Sequence, residues 1–302
     1  PQASLLRALA TVIADAAGAT DGCLPAAANS VGGWLAGALP HRGPAGQAVQ
    51  SAGLAAHAMC DSPLRGYVLF GVEPENDCWD GEAAMKAIDA ADFVVSFSPW
   101  ASETMMNSAD VLLPVAPFTE TSGTFVNLEG RWQGFAGVAR PHGDSRPGWK
   151  VLRVLGNLLE LDGFEYTSSE EIRDALRREV DAASFEPGSA GVAAAPSTGK
   201  GELERVGDVP IHSSDALVRR APSLQATPDA VAGNVARISA RQAEASGVLG
   251  ADTIKASQDG TSITVSLEID ERVPAGCIWL PAGTPAAAGL GPCIGAIRIE
   301  RA

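Results

Sequence analysis

Acid, amide, hydroxyl and guanidinium side chains lie close together in residues 109–134, which read ADVLLPVAPFTETSGTFVNLEGRWQG. The apolar stretch 110–115 predicts a short buried strand, and the polar residues follow its end on a glycine-bearing loop. We call residues 120–133 the hook segment, and its polar side chains include Glu120, Thr124, Asn127, Glu129, Arg131 and Gln133. Loops at strand ends of open α/β sheets are where ligands and partners bind. The hook segment is therefore either a binding loop or, as we favour, internal scaffolding whose polar groups satisfy one another.

A second polar loop, 73–77, reads EPEND and follows another apolar stretch. Its carboxylates and that of Asp80 are of the kind used in acid–base catalysis and calcium binding. The ligand order and the glycine of a calcium loop are absent, however. The loop also suits contact with a nucleotide or an adjacent subunit. We favour a solvated loop that turns the chain.

The cysteines and histidines of this sequence are scattered. No two of its five cysteines are spaced as C-x-x-C, and none of its four histidines follows a zinc-binding pattern. The runs of closely spaced cysteines that hold iron–sulfur clusters are missing as well. A nucleophile elbow, a Walker loop and a G-x-G-x-x-G fingerprint are also missing. We therefore predict no metal site and no catalytic residue in this chain.

Composition narrows the class of partner. The chain has 302 residues, 46% of them hydrophobic, and a net charge of −14. Such an acidic chain repels phosphates, and no cluster of Lys and Arg is evident, so nucleic-acid binding is not expected. No apolar run approaches the roughly 20 residues needed to cross a bilayer, which argues against direct membrane insertion. Because the first residue is not Met, we expect a fragment of a longer protein.

The first half of the chain alternates short apolar stretches with helical patterns. Three such stretches, 67–72, 93–97 and 110–115, predict parallel strands whose carboxyl ends share one edge of a sheet. Helices are predicted over 5–16, 47–59, 81–91 and 148–161, with further helices beginning at Ser98-Pro99 and at the capping box of Thr167 and Glu170. This pattern indicates a mostly parallel α/β sheet with flanking helices.

In the last part of the chain, apolar residues recur at every second position. Residues 263–269 alternate strictly after a turn at Asp259-Gly260, and Ser239 with Gln242 forms a capping box for a short helix. These features predict a small C-terminal β-barrel domain over 231–302. Residues 186–203 have a low-complexity composition typical of a linker. The predicted division is an α/β domain over 1–185, a linker and extended segment over 186–230, and the β-barrel.

Three stretches resemble the family of large peripheral-arm subunits of bacterial NADH–quinone oxidoreductase, or respiratory complex I. They are ANSVGGWLAGALPHRG at 28–43, YVLFGVEPENDCWDG at 67–81, and the run 92–153. The hook segment is similar to the wider molybdopterin oxidoreductase superfamily. Residues 231–302 look like the C-terminal barrel of that superfamily, a likeness resting on VARISARQAEASGV and ERVPAGCIWLP.

The resemblance implies where a cofactor once bound. In the superfamily's molybdenum enzymes the hook and barrel residues surround a pterin dinucleotide, whereas in complex I the region has become scaffold. It therefore implies a vestigial pocket, whose candidate residues are Glu73, Asn76, Glu120, Thr124, Asn127 and Arg131. No cofactor is expected in this segment, and the iron–sulfur clusters are expected in the amino-terminal part of the full subunit. Cys23 and Cys60 lie in the wrong context to bind molybdenum.

The function that the resemblance implies is a non-catalytic scaffold supporting electron transfer from NADH to quinone. Its partners would be other subunits of the complex I peripheral arm, on the cytoplasmic side of the bacterial inner membrane. The alternative is the C-terminal part of an active molybdopterin-dependent oxidoreductase of the formate dehydrogenase or nitrate reductase type. A stand-alone α/β protein that binds a small molecule is a third, less favoured, interpretation.

Arg131 is expected to fix the hook segment. Its planar guanidinium carries several donors and follows Glu120, Asn127 and Glu129 closely in sequence, so it can bridge several acceptors. If the site is buried, Arg131→Ala is expected to cost about 1–3 kcal/mol.

Overall fold

The computed structural model describes residues 3–22, 24–25, 27–184, 203–287 and 289–302. These residues form two compact units. The first unit contains 1–55 and 118–198, and the second contains 56–117 and 199–302. The low-complexity segment expected at 186–203 lies outside the described residues except for Leu203.

Helices and strands alternate through much of the described chain. The helices are α1 (Ala3–Ala17), α2 (Ser30–Leu35), α3 (Ala56–Asp61), α4 (Pro74–Asp77), α5 (Gly81–Asp89), α6 (Glu103–Ser108), α7 (Gly148–Leu158), α8 (Ser169–Ala182), α9 (Ala216–Arg219), α10 (Pro222–Gln225), α11 (Pro228–Ala232) and α12 (Ala240–Ala245). The strands are β1 (Gly66–Phe70), β2 (Phe93–Ser98), β3 (Val111–Ala116), β4 (Gly123–Val126), β5 (Trp132–Phe135), β6 (Arg146–Pro147), β7 (Glu204–Val206), β8 (Val235–Ile238), β9 (Thr253–Gln258), β10 (Thr261–Ile269), β11 (Cys277–Trp279), β12 (Ile294–Ala296) and β13 (Arg298–Arg301).

In the second unit, β1, β2 and β3 pair in that order and all run parallel. Gly66 lies opposite Phe93, and Val95 lies opposite Val111. Val94 and Phe97 on the central strand are almost fully buried. Helices α5 and α6 connect successive strands, as parallel neighbours require. The parallel sheet with flanking helices predicted from the three apolar stretches is confirmed.

The C-terminal part of the second unit is a mixed sheet of strand order β12-β7-β11-β8-β10-β9-β13. Its core includes Ile238, Ile254 and Ile278, all 0% exposed. The predicted turn closes the β9–β10 hairpin, where Asp259 has a φ of 50° and Gly260 a φ of 91°. Two successive positive φ angles match the right-handed twist of the two strands. The α/β fold class followed by a C-terminal β region is therefore confirmed.

One strand of that sheet comes from sequence assigned above to the linker and extended segment. Strand β7 pairs in parallel with β11 and antiparallel with β12. Its central residue, Arg205, is 1% exposed. This strand was not predicted, because it follows a low-complexity run and its three residues are too few for a period to be recognised.

Two helices have different bounds in the structure from those predicted. The helix predicted over 47–59 is present only as α3, because backbone hydrogen bonds tie the residues before it to an earlier loop: Gly53 donates to the carbonyl of Pro40 at 2.7 Å. The helix predicted from Ser98-Pro99 begins instead at α6, whose N-cap is Ser102. The hydroxyl of Ser98 donates to the carbonyl of Trp100 at 2.7 Å and so does not cap a helix.

The two predicted capping boxes differ in detail. Ser168 rather than Thr167 caps α8, and Glu171 reaches back to the Thr167 backbone N–H at 2.7 Å, one residue later than predicted. Ser239 caps α12 as predicted, by accepting from the N–H of Gln242. The Gln242 side chain, however, accepts from the backbone of a distant turn.

Candidate functional site

A buried carboxylate follows β1 in the second unit. Glu73 is 3% exposed and immediately precedes α4. Its Oε2 accepts from Nη2 of Arg219 at 2.9 Å and from Nη1 of Arg220 at 3.2 Å. Asp77 completes the group, since its Oδ1 accepts from Nη1 of Arg219 at 2.9 Å and its Oδ2 from the Glu73 backbone N–H at 2.7 Å. We call these four residues the ionic cluster.

Local structure explains how the two arginines reach Glu73. Asp215 is the N-cap residue of α9, and its Oδ1 accepts from the N–H groups of Leu217 and Val218 at 2.7 and 3.0 Å. This cap places Arg219 and Arg220 together at the helix end. The Arg220 guanidinium also lies 5.0 Å from the ring centroid of Trp100, a cation–π arrangement. The sequence signal that could have revealed this partner was two adjacent arginines in a strongly acidic chain.

The ionic cluster balances two carboxylates against two guanidinium groups. Burial lowers the pKa of Arg219, but hydrogen bonds and charge from Asp77 and Glu73 outweigh it, so its pKa is raised and the side chain stays charged. Both Glu73 oxygens are engaged by arginine donors. The cluster therefore anchors the loop after β1 to the 211–220 segment, with both carboxylate oxygens of Glu73 accepting from arginine.

Asn76 lies beside the ionic cluster, in a cleft of about 430 Å³. The cleft is lined by Asn76, Asp77 and Asp215 together with small and apolar residues of the second unit. The two carboxylates make it unfavourable for a phosphate group, because like charges repel. Asn76 is thus near a cleft but in an environment that suits neutral or cationic groups.

The hook segment folds as a hairpin of β4 and β5 in the first unit. Asn127 holds its turn, because its Oδ1 accepts from the backbone N–H groups of Glu129 at 3.1 Å and Arg131 at 2.9 Å. Gly130 has a φ of 75°, a conformation that favours glycine. Thr124 lies within β4, opposite Gly134. The amide of Asn127 therefore serves the loop itself.

Arg131 does not have the surroundings predicted for it. Its side chain is 72% exposed, and its Nη2 lies 3.9 Å from Oε2 of Glu129, which is also exposed. The expected bridge to Glu120 and Asn127 is wrong: Glu120 Oε2 accepts from the His142 backbone N–H at 3.0 Å instead. The condition for a large stabilising role, burial, is not met.

An asparagine that sequence reasoning left unassigned supports the same hairpin. Asn29 Oδ1 accepts from the N–H of Val126, which is 2% exposed, at 2.9 Å. Gly32 makes room for this amide, because a Cβ there would lie 2.0 Å from the same oxygen. The signal was Asn29 followed three residues later by glycine in a Gly-rich loop.

Asn127→Ala should destabilise the first unit more than Arg131→Ala. Removing the amide leaves two turn N–H groups without their acceptor, which costs about 1–2 kcal/mol in the free energy of unfolding. Removing an exposed guanidinium costs less than about 0.5 kcal/mol. Urea unfolding of the two variants beside the unmodified chain measures both values, and a larger loss for Arg131→Ala would contradict this account.

Two cysteines flank the second unit's polar loop, and neither is poised for reaction. Burial, with smaller contributions from the nearby groups of Cys60 and Asp77, raises the pKa of Cys78 to about 11. The pKa of Cys60 is raised too, again mainly by burial. Across the described residues, no group of three or more His, Cys, Asp or Glu side chains is arranged to hold a metal ion.

Alkylation of Cys78 should be slow at about pH 8, where its thiolate fraction is about 100-fold lower than that of an ordinary thiol. Since the thiolate reacts, the rate should rise about tenfold per pH unit until the pH nears the raised pKa. Mass spectrometry of the iodoacetamide-labelled peptide measures this rate, with the chain unfolded in guanidinium chloride as control. Equal rates in folded and unfolded chains would refute the raised pKa.

The six residues predicted to line a pocket are divided between the two compact units. Glu73 and Asn76 belong to the second unit, whereas Glu120, Thr124, Asn127 and Arg131 belong to the first. Their contacts are mostly with neighbouring protein groups.

Comparison with known families decides the broader relationship. The profile described as "Molybdopterin oxidoreductase" matches residues 8–158, half of the chain. The chain belongs to the molybdopterin oxidoreductase family. This match includes the three parallel strands and the hook segment. The superfamily resemblance noted in the sequence is therefore confirmed, while the finer likeness to a complex I subunit stays a prediction.

Two curated relatives come from Staphylococcus aureus strains MRSA252 and USA300, and both are named "Putative formate dehydrogenase". Each is 37% identical to this molybdopterin oxidoreductase family chain over 92 residues, which is 30% of the chain and 9% of the relative. Among solved structures, acetylene hydratase from Pelobacter acetylenicus matches with a TM-score of 0.59 and 15% identity. That match covers 87% of this chain and 48% of the hydratase chain, and at this identity it concerns the fold alone.

Membership of the family implies a molybdopterin group, whose phosphate needs N–H or cationic donors. Glu73 and Glu120 are acceptors that already receive protein donors, and the Asn127 amide oxygen is used by its own turn. Arg131 supplies the single positive charge in the predicted set, from an exposed hairpin. As a set, these residues do not fit a phosphate-bearing cofactor. We therefore derive no chemical step through it.

Proposed function

We propose that this chain is part of a molybdopterin-dependent oxidoreductase of the formate dehydrogenase type. The observation that carries the proposal is the 37% identity over 92 residues to relatives named "Putative formate dehydrogenase". The family match over residues 8–158 supports the same class of chemistry. Formate oxidation would release carbon dioxide, one proton and two electrons, which pass to an acceptor outside this chain.

Within such an enzyme, this chain's contribution is a framework. The ionic cluster fixes the loop after β1, and the Asn127 turn fixes the hook hairpin. Both devices hold polar loops in one conformation through contacts within the chain. We assign the catalytic step to the rest of the protein, since the chain matches 9% of its named relatives and 48% of the hydratase chain.

The test uses the full-length protein, tagged at its natural locus and purified in its native assembly. Formate-dependent reduction of a viologen dye, together with about one molybdenum per protein, is the expected result. A matched Glu73→Gln variant should yield less folded protein while leaving the rate per molybdenum unchanged. Absence of both formate oxidation and molybdenum would overturn the proposal.

A second candidate is the non-catalytic scaffold of NADH–quinone oxidoreductase, at the cytoplasmic side of the inner membrane and in contact with other peripheral-arm subunits. It is supported by the internal pairing of Glu73, Glu120 and Asn127, which is what a vestigial pocket would retain. In the part of the chain that the structure describes, no helix has the length and apolar character to span a bilayer. Such a scaffold would accordingly join a membrane complex through protein contacts.

The same purification distinguishes the second candidate. Co-purification with NADH-driven quinone reductase activity, iron–sulfur clusters and no molybdenum would favour the scaffold. In that case Arg131→Ala should leave the rate of NADH-driven quinone reduction per intact complex unchanged, since its side chain is exposed and its ion-pair partner in the described chain is the equally exposed Glu129. A large fall in that normalised rate would mean that the hook segment takes part in electron transfer.

A further inference from the structure

A cationic pocket lies in the first unit, where the chain enters α7. The pocket has a volume of about 590 Å³. We call it the α7 pocket, and it is lined by Arg140, Arg146 and Lys150 together with Trp149 and hydroxyl-bearing residues. Three cationic side chains around one concavity are unexpected in a chain with a net charge of −14.

The three cations lack acidic partners. Among the residues that the structure describes, no carboxylate forms an ion pair with Arg140, Arg146 or Lys150. Arg146 Nη1 donates to the neighbouring carbonyl of Ser145 at 2.8 Å, and Lys150 Nζ lies 5.3 Å from the ring centroid of Trp149. Most of their donor capacity is therefore open to a ligand.

A donor of Trp149, which lines the α7 pocket, points to the same chemistry, and a second unpaired donor lies one turn further along α7, outside the pocket lining. The Nε1–H of Trp149 and the Nε–H of Arg153 are buried, and neither finds an acceptor among the described residues. These residues are four apart and so lie on one face of the helix. Buried donors almost always have an acceptor, so an acceptor-rich group is the expected partner. The N-cap residue, Pro147, has no side chain that could cap the first N–H groups of α7.

One carboxylate also lines the α7 pocket. Glu120 is held there by the His142 N–H, which donates to its Oε2 at 3.0 Å. Three cations and one carboxylate leave a net positive site, which suits a dianion better than a monoanion. A bare phosphate would fill only part of a cavity of about 590 Å³, which is in the range that holds small organic ligands.

We propose that the α7 pocket binds the phosphate group of a small phosphate monoester. Arg140 and Arg146 supply planar forks that match phosphate oxygens, and Lys150 adds a point charge. The Trp149 indole supplies an apolar wall with one N–H donor. The assignment is independent of formate chemistry, because it concerns binding by residues of this chain alone.

Calorimetric titration of the full chain with ribose 5-phosphate tests the proposal, with ribose and inorganic phosphate as companion probes. Saturable binding of ribose 5-phosphate, weaker binding of inorganic phosphate and no binding of ribose are expected. Arg140→Ala and Arg146→Ala should each weaken binding about tenfold, whereas Glu120→Gln should strengthen it, because it removes the negative charge and keeps an acceptor for the His142 N–H.

Arg131→Ala is the matched control, since it removes an exposed arginine of the same unit that does not line the pocket. The affinity of Arg131→Ala for ribose 5-phosphate should equal that of the unmodified chain. Circular dichroism of each variant verifies that it is folded. The assignment would be overturned if folded Arg140→Ala and Arg146→Ala bound ribose 5-phosphate as tightly as the unmodified chain. It would also be overturned if Arg131→Ala weakened binding equally, or if the unmodified chain did not bind ribose 5-phosphate.

Discussion

Arg205→Ala should lower the free energy of unfolding of the second unit by about 4 kcal/mol. Arg205 is 1% exposed and donates to five acceptors: the carbonyls of Leu280 at 3.0 Å, Pro281 at 3.0 Å, Gly291 at 2.8 Å and Pro292 at 3.4 Å, and Oε1 of Gln258 at 3.1 Å. Burial lowers its pKa, and no carboxylate in the described chain forms an ion pair with it. Truncation would leave four of these acceptors unpaired in a dry interior, while the Pro292 carbonyl keeps the Gln258 Nε2 donor.

The measurement is native-state hydrogen exchange at Ile238 and Ile254, whose side chains are fully buried in the sheet that contains Arg205. Arg205→Met separates the two contributions, since it keeps most of the volume but has no donors. Arg205→Met should recover less than half of the stability that Arg205→Ala loses. Arg298→Ala, an exposed arginine of the same sheet, should change stability by less than about 0.5 kcal/mol. Full stability of Arg205→Met would show that packing rather than hydrogen bonding holds these strands.

Glu73→Gln should destabilise the second unit by about 3 kcal/mol. It leaves Arg219 with Asp77 as its remaining carboxylate and Arg220 with none among the described residues, and removing one partner from a buried ionic group leaves charge uncompensated. The side chain of Arg219 is 12% exposed and that of Arg220 is 32% exposed, so water offsets part of this cost. Chemical unfolding monitored in the second unit gives the value.

An exposed ion pair provides the control. Arg65 Nε donates to Oδ2 of Asp92 at 2.7 Å, but both side chains are more than half exposed. Asp92→Asn should therefore cost about 1 kcal/mol at most, because exposed pairs are screened by solvent. The double variant Glu73→Gln with Arg220→Met should lose less than the sum of the single losses, since both substitutions disrupt one network. Strict additivity would mean that the two residues act separately.

Much of the fold follows from local sequence patterns. Continuous apolar strands between helices predicted that β1, β2 and β3 run parallel in one sheet, because parallel sheets are covered on both faces. The strict alternation over 263–269 and the Asp259-Gly260 turn predicted strand β10 and the turn that precedes it. These features depend on neighbours in sequence, so they can be recognised without knowledge of distant contacts.

The polar loops could be located from sequence, but the partners of their side chains could not. Glu73 meets Arg219 and Arg220, which follow it by more than 140 residues, and Asn29 supports Val126 across 97 residues. No periodicity links residues at such separations. The expected bridge from Arg131 was wrong for a related reason: closeness in sequence does not decide which way a side chain leaves a hairpin.

The sequence by itself determined the class of the fold, the superfamily relationship and the positions of the polar loops. Helix capping, strand period and turn residues are local properties, and a family pattern is written in residue order. Only the tertiary structure decided that Glu73 is buried in an ionic cluster while Arg131 is exposed, and that Arg205 donates to five carbonyl-type acceptors. The burial of a polar side chain and the identity of its hydrogen-bond or ion-pair partner depend on which distant segments pack together. The same packing decides which charges lie near each polar group.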